Sequence, residues 1–233
     1  MNEDTENLKA ADELDSELSV IRLEIARLQQ IDKKIRTAVA AEKKKLADLA
    51  QKIAQAEAAR RKFESDLKHA EHKARSSRER LSQARTPKEA EALEHEAAGA
   101  EAEAARLEEA TFSALETEEN LKAENDRATS AYEQWIPQQK ETIKRTQLMM
   151  EEKQSLANDL EQERIAAINR MTTDLRDTYE WLVKEYGAGR AISRLDGSSC
   201  SRCGNVLVPG LIDKVRHGEE QQRCPNCSRY LML

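Results

Sequence analysis

The stretch Arg85-Thr86-Pro87-Lys88-Glu89 decides how this 233-residue chain folds, because it separates two long helix-forming runs. Thr86 can cap a new helix, Pro87 suits the first helical position, and Glu89 completes a Thr-x-x-Glu capping box. Thr86 also precedes a proline and so disfavours helical geometry, which ends the upstream helix here as well. So short a reversal between two long helices predicts an antiparallel hairpin with its turn near residues 85–88.

Upstream of the turn, a 4-3 spacing runs from Leu14 through Leu18, Ile21, Ile25 and Leu28 to Phe63, Leu67, Ala70, Ala74, Leu81 and Ala84. A seven-residue period sustained over that length predicts a left-handed coiled coil, from about residue 8 to residue 84. Asp32, Glu42 and Arg60 fall in this seam, where polar residues are expected to fix register at some cost in stability.

Downstream, the second helix is expected from Pro87 to Tyr186, closed by Gly187, with a bend or local break at Pro137. Its first part is rich in alanine, and a turn near residue 86 sets this block opposite Ala70 and Ala74. Small residues then face small residues, and the legs are expected to approach closely there. Residues 60–88 carry a net charge of +6 and residues 89–126 a net −11. The basic run is therefore expected to form ion pairs across the hairpin rather than a nucleic-acid site. The same pairing puts residue 164 opposite residue 8, so about twenty residues of the second helix project past the first. Met171, Leu175, Trp181 and Leu182 on that projection form a candidate protein-docking face, with packing against the C-terminal segment as the competing expectation.

After Gly187-Ala-Gly189 the pattern changes: residues 1–186 read as the hairpin and residues 187–233 as a small ribbon of short strands. Strands are expected at Ala191–Leu195 and Tyr230–Leu233, with a turn at Asp196-Gly197. Cys200-Ser-Arg-Cys203 and Cys224-Pro-Asn-Cys227 hold all four cysteines, and two Cys-x-x-Cys turns at this separation suit one tetrahedral thiolate site. The expected ion is a single structural zinc, because four thiolates leave no position for water or substrate. Iron shares this spacing and stays open. Disulfides need an oxidising compartment, whereas Met1-Asn-Glu-Asp-Thr-Glu-Asn is acidic with no apolar export run; a dithiol redox motif needs a βαβ setting that is missing. His217 is expected at the surface. So small a ribbon cannot bury much, and metal binding is expected to contribute to its folding.

Composition bounds the function. The chain is 35% charged, 3% aromatic and carries a net −6, which excludes an ordinary globular core and a general attraction to nucleic acid or membranes. No apolar run crosses a bilayer, so a cytoplasmic location is expected. No phosphate-cradling loop, nucleophile–base pair or open metal site appears, so the chain is not expected to be an enzyme.

Thr86-Pro-Lys-Glu-Ala-Glu-Ala-Leu-Glu-His-Glu96, Cys200-Ser-Arg-Cys203 and Arg223-Cys-Pro-Asn-Cys-Ser-Arg-Tyr-Leu231 resemble a bacterial family of long coiled-coil hairpins that end in a C4-type zinc ribbon. Family members commonly have Gly after the last cysteine, where this chain has Ser228. The resemblance implies nucleic-acid binding, or an adaptor or regulatory role with sigma-54, flagellar or type III secretion components as partners.

A mainly α chain, a helical hairpin with a small β zinc ribbon, is thus expected to act as a protein adaptor. Nucleic-acid binding through the ribbon is the alternative, with Arg202, Lys214, Arg216, Arg223 and Arg229 as contacts to either partner. Residues 187–233 carry a net +3 after Asp196, Asp213, Glu219 and Glu220 are counted, and a zinc tetrathiolate brings this to about +1. Tyr230 is the ribbon's only aromatic residue, which gives little stacking area for bases. Heptads permit either an intramolecular hairpin or one exchanged between chains, so oligomeric state stays open.

Overall fold

The computed structural model describes residues 3–218 and 221–233; Glu219 and Glu220, two of the four acids counted in the ribbon, lie outside them. Helix α1 spans Glu3–Leu81 and α2 spans Pro87–Asn169, and they pair as an antiparallel hairpin. Glu3, Asp4 and Glu6 in the first turn of α1, and Arg78 and Arg80 in its last, complement the helix dipole. At the reversal, the Glu89 N–H donates to Thr86 Oγ1 at 3.3 Å, and the Glu89 carboxylate accepts from the Arg85 N–H at 3.3 Å. The cap therefore closes one residue earlier on its return leg than a standard capping box.

Seam residues from Leu14 to Ala84 are buried or half-buried, apart from Glu42. Glu42 is exposed and pairs within its own helix with Lys45 at 3.9 Å, so it does not fix register. Helix α2 continues through Pro137 without a break.

Two compact units divide the chain, Ile35–Glu141 and Met1–Lys34 with Thr142–Leu233. In the first, Ala74 and Ser77 of α1 and Leu93, Ala97 and Ala100 of α2 are buried. Opposite charges meet as the charge pattern predicts: Arg78 with Glu101, Lys73 with Glu96 at 3.7 Å, and Arg60 with Glu118 at 2.7 Å. Lys122 reaches both Glu118 at 2.6 Å and Glu57 at 3.0 Å, so the seam residue Arg60 joins an ionic cluster spanning both helices. Hydrogen bonds from Lys122 and then Arg60 hold the Glu118 carboxyl below its usual range.

In the second unit, Leu18 and Ile21 pack against Ala157 and Leu160. Here the structure corrects the expected register. Arg164 Nε meets Asp15 Oδ1 at 2.5 Å, one heptad along from residue 8. Arg78 with Glu101 and Arg60 with Glu118 show about the same offset nearer the turn, so the connection between the helices sets it, and the heptad pattern, alike in every repeat, does not report it.

The long projection is also corrected. Helix α2 stops at Asn169, and a separate helix α3 spans Thr173–Tyr186. Asp4 of α1 accepts both the Thr172 N–H and its hydroxyl at 3.1 Å, and this ties down the break between the helices. Acidic groups at a helix N-terminus satisfy free N–H donors, which is what Asp4 does for α3.

Strand β1 (Ile192–Asp196) pairs antiparallel with β2 (Ser199–Cys200) and parallel with β3 (Tyr230–Met232), giving the order β2-β1-β3. The expectation of strands alone is incomplete: helix α4 spans Pro209–His217. Pro209 stands in its first turn and Gly218 closes it in the left-handed conformation, so its boundary signals were present in the sequence. No helix among the described residues is long and apolar enough to cross a membrane.

Candidate metal centre

Each cysteine pair is folded into the same tight turn. The Gly204 N–H donates to the Cys200 carbonyl at 2.8 Å, and the Cys200 N–H donates to the Asn205 carbonyl at 3.0 Å. In the second turn the Ser228 N–H donates to the Cys224 carbonyl and the Cys224 N–H to the Arg229 carbonyl, both at 2.9 Å. β2 delivers Cys200, and the loop before β3 delivers Cys224 and Cys227. The turns share a small core with Leu207, Ile212, Val215 and Leu231, which is why α4 belongs to the site.

All four Sγ atoms lie within 4.8 Å of one another. Cys200 and Cys227 are 3.8 Å apart at sulfur, and Cys203 and Cys224 are 3.6 Å apart. A tetrahedron with metal–sulfur bonds of about 2.3 Å has sulfur–sulfur edges of about 3.8 Å, so the cluster has the dimensions of a four-thiolate metal site. The cysteines are free, at separations far beyond a disulfide bond of about 2.05 Å. His217 takes no part, since its Nδ1 lies 2.7 Å from the Asp213 carbonyl on its own helix.

The sulfurs differ electrostatically. Burial raises the Cys200 thiol, but hydrogen bonds from Ser193 and from the backbone of Arg202 and Cys203 outweigh it and bring it down to about 6. Burial dominates at Cys224 and pushes it up to about 12. Bound metal would hold all four as thiolates.

Three aspartates of α1 position the ribbon and α3, and the sequence reading did not single them out. Asp12 Oδ1 accepts the Ala191 N–H, at the entry to β1, at 2.9 Å. Asp15 accepts the Tyr179 hydroxyl of α3 while it pairs with Arg164; Asp4 anchors the start of α3. Continuing the heptad backward from Leu14 places Asp4 and Asn7 in the seam, which signals a polar partner there. Gly189 permits the close approach of the linker: a Cβ there would meet the Cβ of Ser16 at 2.6 Å.

This packing overturns the docking face. Met171, Leu175 and Leu182 are buried with Leu8, Ala11, Tyr179 and Tyr230 in one core, leaving Trp181 exposed. The competing expectation, packing against the C-terminal segment, is the observed one.

The basic candidates separate. Arg202 and Arg216 line one cleft of about 910 Å³ between α1 and the ribbon, together with Lys9 and Arg194. Arg229 is committed to structure, with Nε donating to the Arg190 carbonyl at 2.8 Å and its guanidinium stacked 3.6 Å from the centre of the Tyr186 ring. Lys214 and Arg223 are exposed and do not line the cleft.

The family model for CT398-like coiled coil hairpin domains matches residues 9–187. Among solved structures, CT398 from Chlamydia trachomatis is similar with a TM-score of 0.89 at 16% identity, covering 100% of this chain and 99% of that one. A protein from Mycobacterium smegmatis gives a TM-score of 0.72 at 20% identity, with 100% and 99% covered. The HP0958 protein from Helicobacter pylori gives 0.61 at 14% identity, with 99% and 97% covered. At these identities the structural likeness establishes the fold. No curated protein matches the chain.

Proposed function

The chain belongs to the family of CT398-like coiled-coil hairpin domains, and we propose that it is a non-enzymatic cytoplasmic adaptor whose ribbon, held by one structural zinc ion, presents a partner-binding cleft. The cleft itself carries this reading. Its walls come from both parts of the second unit: Leu8 and Lys9 from α1, and Ile192, Arg194, Arg202 and Arg216 from the ribbon. Apolar side chains supply area for a protein segment, and arginines at the rim supply directed hydrogen bonds.

Zinc suits four sulfurs at tetrahedral spacing, and a shell closed by four thiolates supports a structural role. When bound, the ion supplies cross-linking between the two cysteine turns. The resemblance supports sigma-54, flagellar or type III secretion components as partners. The shared placement of Arg194, Arg202 and Arg216 also favours a second reading, contact with nucleic acid through phosphates.

Capture from lysate of the source cell, with and without nuclease, separates these readings. The native zinc-loaded chain is compared with an Arg202→Glu/Arg216→Glu variant. A sigma factor or secretion protein retained after nuclease by the native chain, and lost by the variant, supports the adaptor. Recovery of RNA or DNA, with associated proteins lost on digestion, overturns it in favour of nucleic-acid binding.

A further inference from the structure

Ser193 is a buried hydroxyl that the four-cysteine reading does not use. It sits on β1, the central strand, and is 1% exposed. Its Oγ lies 3.0 Å from Cys200 Sγ, 3.1 Å from Ser201 Oγ and 3.3 Å from the Arg202 N–H. A second backbone donor, the Arg194 N–H, reaches Ser201 Oγ at 3.0 Å.

These contacts define a direction. Arg202 N–H has only donation to offer, so Ser193 Oγ accepts there; Ser201 Oγ accepts from Arg194 N–H and is free to donate onward to Ser193. The Ser193 proton then has three acceptors in reach, Cys200 Sγ at 3.0 Å, Ser201 Oγ at 3.1 Å and the Arg194 carbonyl at 3.5 Å, of which a thiolate, being charged, is the strongest. The Ser201 N–H already donates to that carbonyl at 3.0 Å. Donors in series polarise one another, and their combined effect converges on one sulfur.

We propose that Ser193 is a positioning residue for the metal centre: it donates to the Cys200 sulfur, orients it, and offsets part of the negative charge of a four-thiolate site. The proposal rests on the zinc reading above. Partners just outside the ligand shell orient and tune ligands, and losing one typically costs 10–100-fold in metal affinity. Ser193 is well placed because β1 is paired on both edges and holds the hydroxyl against the first cysteine turn.

Chelator competition on the intact chain, comparing native, Ser193→Ala, Ser193→Thr and Ser201→Ala forms, tests the proposal. Ser193→Ala is expected to weaken zinc binding by about ten- to a hundredfold. Ser193→Thr keeps the hydroxyl and restores affinity, whereas Ser201→Ala removes the upstream donor and gives a smaller loss. Cobalt substitution adds a spectroscopic readout: loss of the donor moves the sulfur-to-cobalt charge-transfer band to lower energy. Zinc affinity in Ser193→Ala within twofold of native, with the band unmoved, overturns the role of Ser193. A native chain that binds no zinc overturns the zinc reading itself. If Ser193→Ala fails to fold, Ser201→Ala decides by the same affinity and band measurements.

Discussion

Ser228 takes the same left-handed backbone conformation after Cys227, with φ of 60°, that Gly204 takes after Cys203, with φ of 72°. Both residues donate the N–H that closes their cysteine turn. The two turns are therefore one structure built twice, once with the residue suited to it and once with a Cβ in the way.

Ser228→Gly is predicted to stabilise the metal-bound ribbon. Left-handed geometry costs a residue with a Cβ about 1–2 kcal/mol, while glycine adds back about 0.4–1 kcal/mol of unfolded-state freedom. The net gain expected is about 0.5–1 kcal/mol, read as a higher unfolding midpoint with zinc present. Gly204→Ser is expected to move the midpoint down by a similar amount. Equal midpoints in all three proteins would contradict the account.

Loss of the cluster is predicted to unfold the ribbon while leaving the hairpin helical. Cys224→Ser/Cys227→Ser, or chelation of the native chain, would remove the cross-link that a bound metal supplies to so small a core. α1 and α2 retain their own seam, including Leu18, Ile21, Ala157 and Leu160. Far-UV circular dichroism should fall only slightly, while the dispersed amide signals of Ile192 and Leu231 collapse toward random-coil positions. Retention of those signals would show that the metal is dispensable.

The hairpin was legible because its period is local and repeated: a heptad from Leu14 to Ala84 leaves little choice about which face is buried. Its register was not, because the seam looks alike in every heptad, and the geometry of the turn, which fixes the pairing that sets Arg164 against Asp15, is not written in that period. Met171, Leu175 and Leu182 read as an unpartnered face for a related reason. Their partners, Leu8, Ala11 and Tyr230, are distant in sequence, and the break at Thr172 that brings them together depends on Asp4. The four cysteines were legible from spacing alone. Their supporting hydroxyl, Ser193, was not, since a strand serine becomes distinctive only once Cys200 is seen beside it.

Asp12→Asn is predicted to flatten part of the pH dependence of stability. Burial raises the Asp12 pKa above its ordinary 3.8, outweighing hydrogen bonds from the backbone of Ala191 and Ile192. The folded chain therefore binds more protons than the unfolded chain from about pH 3.8 up to the raised value, and this residue's contribution declines as pH rises through that window. Asparagine keeps an acceptor for the Ala191 N–H without a buried charge. Thermal midpoints of the variant relative to native should rise as pH increases from below 3.8 toward neutrality. A difference that shrinks over that range would contradict the assignment.

Tyr179→Phe is predicted to destabilise the chain by about 1–3 kcal/mol, the usual cost when a buried polar group loses its partner. The phenol donates to Asp15, which is 2% exposed, and among the described residues Arg164 alone would remain to satisfy that carboxylate. Urea denaturation measures the loss, and Asp15→Asn/Tyr179→Phe should cost less than the sum of the single changes. Additive costs would mean that the two groups act independently.

X-ray absorption at the zinc edge, together with metal stoichiometry on the intact chain, tests the central claim most directly. One zinc per chain with four sulfur neighbours at about 2.3 Å is the predicted result. Nitrogen or oxygen in the shell, iron in place of zinc, or a metal-free chain with its cysteines oxidised would contradict it.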